Sequence, residues 1–185
     1  MKRPIWLIAA GIAVALVAIW FMRRGGQEHV VVNLIDEFPN AKEKRPKPDV
    51  FSIIDATIGG DKQQAIFVKE SSRLVYSVTI LDNAELKVNL GLLEDAYSTP
   101  GDGVLFRVLA TPANGKQDEL LNQVLNPFAN SGDRGWHPVS LDLSEYAGER
   151  VDLFFNTNAS PPGRPGPADT NGDLAVWGSP RIVTR

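Results

Sequence analysis

Gly135-Trp136-His137-Pro138-Val139-Ser140-Leu141-Asp142-Leu143-Ser144-Glu145-Tyr146-Ala147-Gly148-Glu149-Arg150-Val151-Asp152-Leu153-Phe154-Phe155 carries the fold of this chain in miniature. Val139, Leu141 and Leu143 alternate with polar neighbours, and so do Val151, Leu153 and Phe155. A period of two is what a strand with one buried face requires. Between the two rows, Leu143-Ser144-Glu145-Tyr146-Ala147-Gly148 forms a tight corner that returns the chain as the neighbouring strand. The Tyr146 ring is expected to pack at that corner with its hydroxyl bonded to backbone, as a tyrosine corner does in other sandwiches.

The same rhythm extends outward on both sides. Leu74, Tyr76, Val78 and Ile80 form one row, Leu86, Val88, Leu90 and Leu92 a second, and Val104, Phe106, Val108 and Ala110 a third. Shorter strand candidates are 50–54, 65–68, 119–126, 174–177 and 181–184, with a helical turn as the alternative for 118–125. Turn formers separate the rows: Gly59-Gly60-Asp61, Asp82-Asn83, Pro100-Gly101-Asp102-Gly103 and Asn114-Gly115. Many short strands without a long helical period after residue 26 predict an all-β antiparallel sandwich of jelly-roll type over residues 49–185.

The passage from Gly135 to Phe155 resembles the W…V-x-L-D-L-S-x-Y-A-G-x-x-V-x-L-x-F element of galactose-binding-like jelly-roll domains. Gly172-Asp173-Leu174-Ala175-Val176-Trp177-Gly178-Ser179-Pro180-Arg181-Ile182 resembles the last strand of the same group. The resemblance implies a carbohydrate-binding-module type of sandwich, the kind found as accessory modules of bacterial envelope proteins. Such a fold hosts sugar binders, protein binders and structural spacers alike, so function has to be argued from a site.

Pro4 to Met22 reads PIWLIAAGIAVALVAIWFM without one charged residue. A helix across a ~30 Å hydrocarbon layer needs about 20 such residues. Trp6 and Trp20-Phe21 stand at its ends, where aromatic rings favour the headgroup level, and Lys2-Arg3 and Arg23-Arg24 flank it. A cleaved signal peptide would need a short apolar core followed by a small-x-small site, and Ala13 and Ala15 leave too short a run before them. Residues 1–26 are therefore expected to be an uncleaved transmembrane signal-anchor, with the membrane contact at 4–22. Basic residues lie on both flanks. Long domains translocate largely regardless of charge, and Lys2-Arg3 favour a cytoplasmic N-terminus, so the C-terminal domain is expected outside the cytoplasm, in the periplasm or at the cell surface, as a single-pass protein. Residues 27–48, with Pro39, Pro46, Pro48 and a run of lysines and arginine, are expected to be a juxtamembrane linker, mostly extended, with one strand or a helical turn near 30–37.

Composition removes several function classes. The formal net charge is −3, which gives no reason to expect nucleic acid binding, since that usually needs a basic face. Cysteine is absent and there are only two histidines, which excludes thiolate chemistry, cysteine-ligated metals and a multi-histidine centre. No phosphate-loop, HExxH or GxSxG pattern occurs. Asp169, Asn171 and Asp173 place oxygen ligands at alternate positions around Gly172, which suits a structural calcium or an ordinary Asn-Gly turn. The Pro- and Gly-rich stretch 160–167 reads as a stiff exposed connection.

Sugar binding on a β module needs flat rings against pyranose faces and polar side chains to orient hydroxyls. Trp136, Trp177 and Tyr97 are the candidate rings, with Asp133 and Arg134 in an adjoining loop. The competing reading makes Trp136 and Trp177 core plugs at strand ends, which large aromatics usually are. The expectation is a membrane-anchored, non-catalytic binding module with carbohydrate as its ligand class. An assembly subunit that binds another envelope protein is the alternative, and a small hydrolase the third.

Overall fold

Alternation along the chain becomes strands wherever one face can be buried. The computed structural model describes residues 28–69, 71–159 and 171–185. Among them run β1 (His29–Asn33), β2 (Glu43–Arg45), β3 (Phe51–Ile58), β4 (Asp61–Val68), β5 (Ser72–Thr79) and β6 (Ala84–Leu92). They are followed by β7 (Val104–Pro112), β8 (Asp118–Leu125), β9 (His137–Asp142), β10 (Arg150–Asn158) and β11 (Ala175–Thr184). Only 3-10 turns interrupt them.

The strands form two antiparallel sheets. The first has the order β3-β4-β11-β6-β9 with β1 added on β11, and the second has the order β2-β5-β10-β7-β8. Four pairs, β4–β11, β5–β10, β6–β9 and β7–β8, are those of one long hairpin whose two arms run side by side. Rolling that hairpin up adds the β11–β6 and β10–β7 pairs and lays the two sheets face to face. A rolled hairpin of eight strands is a jelly roll.

The predicted rows line the space between the sheets. Leu74, Tyr76 and Ile80 of and just after β5 meet Leu86, Val88 and Leu90 of β6, Phe106 and Val108 of β7, and Leu153 and Phe155 of β10 in one apolar core. Trp177 of β11 is 1% exposed and stands edge-on to Phe106 at 5.0 Å and to Phe155 at 5.2 Å. Tyr76 meets Phe155 edge-on at 5.8 Å. Edge-to-face contacts of this kind add about 0.5–1.5 kcal/mol each beyond area burial. The two to Trp177 tie the first sheet to the second through a single indole.

Of four expectations, three need correction and one, the strand at 118–125, is met. The strand expected near 30–37 is β1, at 29–33, but residues 29–48 are part of the sandwich and not a spacer: β1 pairs with β11, β2 pairs with β5, and Leu34 is wholly buried. The Tyr76 hydroxyl donates to the Leu34 carbonyl at 2.8 Å, and the Leu34 N–H donates to the Pro180 carbonyl at 3.0 Å. The compact unit accordingly runs from Val30 to Thr184 rather than from residue 49. The candidates 174–177 and 181–184 are one strand, β11, with a bulge between Gly178 and Arg181. Residues 118–125 take the strand alternative, as the edge of the second sheet. Tyr146 is buried at its corner as expected, but its hydroxyl donates to the Asp118 carboxylate at 3.0 Å instead of to backbone.

The anchor expected over residues 4–22 lies outside the described residues. Among those described, no helix is long and apolar enough to cross a membrane.

Candidate binding site

Of the five residues expected to meet a ligand, the fold separates one. Trp177 is the core indole between the sheets, so no ligand reaches it, and the core reading holds there. The other four come together at the outer face of the first sheet. There Ala56, Ile58, Ala65 and Val176 form a second, smaller apolar cluster, with Trp136 and Tyr97 packed against it half-buried.

Trp136 fits because glycine occupies two positions beneath it. A Cβ on Gly178 would come within 2.6 Å of the indole Cζ3, and one on Gly91 within 3.1 Å of Cε3. The indole N–H donates to the Asp61 carbonyl at 3.0 Å. Tyr97 accepts the Gly135 N–H at 3.0 Å, and the Arg134 guanidinium lies 5.5 Å from the Tyr97 ring centroid. Burial pushes the Tyr97 hydroxyl above its ordinary range and the charge on Glu94 adds to this, while the Gly135 and Arg134 contacts pull the other way. Arg134 donates to the Pro127 carbonyl at 3.0 Å. Asp133 accepts from the Asn126 N–H at 2.8 Å and from the Asn130 amide at 2.9 Å. The polar groups of this cluster are thus engaged in shaping the 126–137 loop and holding it to the sheet.

Asp169 lies outside the described residues, as do Arg164 and the stretch 160–167. Asn171 is exposed and Asp173 is buried. Calcium takes six to eight oxygens, and the described residues contain no group of three or more acidic or histidine side chains placed to hold a metal.

An open polar groove lies on the other sheet. Strand register sets Arg45 of β2 opposite Arg73 of β5, Arg73 opposite Asn156 of β10, and Asn156 opposite Arg107 of β7. These four side chains form one row across four strands, on the face turned away from the core. With Ser72 and Thr157 they line a groove of about 480 Å³. Arg73 donates through Nε to the Asn156 side-chain oxygen at 3.2 Å, and its guanidinium lies 5.6 Å from the Phe154 ring centroid. The Ser72 and Thr157 hydroxyls bond each other at 2.8 Å. Arg45 is paired with Glu43 at 2.8 Å, and Arg107 with Glu119 at 2.5 Å. The Asn122 amide and Arg107 together hold the Glu119 carboxyl below its usual range.

Sequence reasoning missed this row because its members are far apart in the chain. Arg73 and Arg107 read as the polar half of an alternation, and Arg45 as part of a spacer. The usable signal is an arginine at the outward position of two separate strand rows, and only the register shows that the rows are near neighbours.

Large apolar side chains exposed among the described residues are Val30, Leu81, Val124 and Phe128. They stand on β1, on the turn after β5, on the edge strand β8 and on the loop that follows it.

No family model matches the chain. An uncharacterized protein of Archaeoglobus fulgidus is 33% identical over 123 residues, which is 65% of this chain and 29% of that protein, so the chain spans less than a third of the relative's length. Among solved structures, the M60 catalytic domain with two CBM51 domains from Clostridium perfringens ZmpB is similar over 86% of this chain and 14% of that one, at 16% identity and a TM-score of 0.48. A CBM51 from Clostridium perfringens GH95, solved with methyl-galactose, is similar over 86% of this chain and 93% of that one, at 16% identity and a TM-score of 0.45. A cleaved adhesin domain of Lys-gingipain from Porphyromonas gingivalis is similar over 85% of this chain and all of that domain, at 15% identity and a TM-score of 0.44.

Proposed function

We propose that the sandwich is a non-catalytic carbohydrate-binding module whose ligand lies in the groove over the second sheet. The observation that carries this reading is the row Arg45, Arg73, Asn156 and Arg107 along a groove of about 480 Å³. Guanidinium and amide groups present paired donors and acceptors in fixed planes, which suits the adjacent hydroxyls of a sugar ring. The Arg73–Asn156 and Arg107–Glu119 bonds restrain two of these side chains before a ligand arrives, which lowers the ordering cost on binding. The groove lining is made of donors and hydroxyls, a chemistry of recognition. Glycoside hydrolysis, by contrast, uses a pair of carboxyl groups flanking the bond.

The test is a titration of the full chain, solubilised in detergent, against a panel of neutral and acidic oligosaccharides. Saturable binding that weakens in Arg45→Gln, whose side chain is exposed, while the melting temperature stays close to that of the parent is the expected result. A panel without any binder would overturn the reading.

The module is tethered by residues 4–22 and displayed outside the cytoplasm. The support is the uncharged stretch Pro4 to Met22 with its aromatic ends and basic flanks. Resistance to alkaline extraction from membranes, with digestion of the sandwich by protease added outside intact cells, is expected. Release into the soluble fraction would contradict the anchor.

A further inference from the structure

We infer that the groove over the second sheet selects acidic glycans, chains of sugars bearing carboxylate or sulfate groups, over neutral ones. The inference rests on the carbohydrate reading of that groove and adds the charge of its ligand.

Arg45 stands directly opposite Arg73 on adjacent strands. Like charges in directly opposed cross-strand positions destabilise a sheet. One amide further along the same row stands a third arginine, Arg107. The carboxylates that accompany this row, Glu43 and Glu119, answer Arg45 and Arg107 from outside the groove lining. The lining itself therefore presents guanidinium groups. This occurs in a chain whose formal net charge is −3, so the row is a local feature and no part of a generally basic surface.

Each guanidinium offers five N–H donors in a rigid fork that matches a carboxylate or a sulfate in two parallel hydrogen bonds. Asn156 and the exposed Asn158 add amide groups that a neutral part of the same sugar needs. Phe154, beneath the Arg73 guanidinium, keeps that fork over an apolar floor, where its charge is less well solvated than in open water. With strands about 4.8 Å apart, Arg73 and Arg107 are separated by two spacings, roughly 10 Å, and Arg45 extends the row by one more. A row of that length accommodates several acidic groups along a chain, so an oligosaccharide is expected to bind more tightly than its monosaccharide.

The experiment titrates the detergent-solubilised full chain with oligogalacturonate and with its methyl ester, which keeps the sugars and removes the charge. A sulfated oligosaccharide and its desulfated form make the second pair, and inorganic polyphosphate serves as a sugar-free polyanion. In at least one pair the acidic form should bind more tightly than its neutral counterpart by about tenfold or more, with the preference shrinking as salt is raised. Arg73→Gln should remove that preference, and Arg107→Gln gives an independent reading should the first variant fold poorly. Lys62→Gln, on the first sheet, should leave binding unchanged. Equal binding of acidic and neutral forms would overturn the charge selectivity and leave the carbohydrate reading standing. Polyphosphate that binds as tightly as the best glycan would overturn it too, because charge alone would then suffice. No glycan bound at all would bring down both readings.

Discussion

The outer faces of the two sheets make an instructive contrast. On the first sheet, Trp136 and Tyr97 sit half-buried over a small apolar cluster, and the indole, the phenol, Arg134 and Asp133 all have partners within the chain. On the second sheet, arginine and amide side chains converge on an open groove. A flat ring beside polar loop residues is the sequence signature expected of a sugar site, yet here it fastens a loop. The groove has no such signature. The groove side chains have partners too, Arg73 in Asn156, Arg45 in Glu43 and Arg107 in Glu119, but each guanidinium carries five N–H donors, more than these bonds use, and the remainder are left for recognition.

The largest test of this contrast is on the indoles. Trp177→Ala removes the edge-on contacts that join the sheets and should cost about 3–5 kcal/mol in denaturant unfolding. Trp136→Ala, at a half-buried position, should cost clearly less. Equal losses would erase the distinction between core indole and loop fastener. Next in size is Gly178→Ala, whose new methyl would overlap Trp136 at 2.6 Å and should destabilise by about 1–3 kcal/mol. Its effect should largely vanish in a Trp136→Ala background, because the two changes share one contact. Additive losses would mean that the ring does not rest on that glycine.

Much of the architecture could be read in the chain, for physical reasons. The rows at 74–80, 86–92, 104–110 and 151–155 are buried on one face, so their side-chain period is written in the sequence. Asp142 and Ser144 also belong to a legible corner: the Ser144 hydroxyl and N–H hold the Asp142 carboxyl below its usual range. Residues 29–48 were illegible because their strands are short, rich in charge and broken by proline, and they are fixed by distant partners: Leu34 by Tyr76 and Pro180, Lys42 by Asp152. Tyr76 holds its carbonyl partner in a buried setting that raises the phenol well above its ordinary range, with Glu37 adding to the rise. The groove was illegible for a different reason. An outward arginine says nothing alone, and its neighbours across the sheet depend on a register that periodicity leaves open.

A smaller effect comes from pH. Asp152 is partly desolvated, which pushes its carboxyl up, but the Lys42 ammonium and the Ser77 hydroxyl outweigh this and leave it below its ordinary value. A carboxyl held low in the folded chain contributes stability that is complete above its unfolded value of about 3.9 and is lost as pH falls further, through the folded value. Asp152→Asn should therefore cost under about 1 kcal/mol at neutral pH and make the acid limb of the stability profile shallower. An unchanged acid limb would show that Lys42 does not clamp the 41–45 segment to the second sheet. Smallest of all, Arg73→Gln should alter stability by less than about 0.5 kcal/mol, as surface changes away from packed features do. A larger loss would make the arginine row structural and remove the contrast with Trp136.

Hydrogen–deuterium exchange of the full chain with and without a bound oligosaccharide tests the central claim most directly. The account predicts that protection on binding concentrates in 72–73, 107 and 156–157 of the second sheet and leaves 97 and 133–136 unchanged. Protection centred on 97 and 133–136, with the second sheet unaffected, would contradict it and return the site to the aromatic cluster.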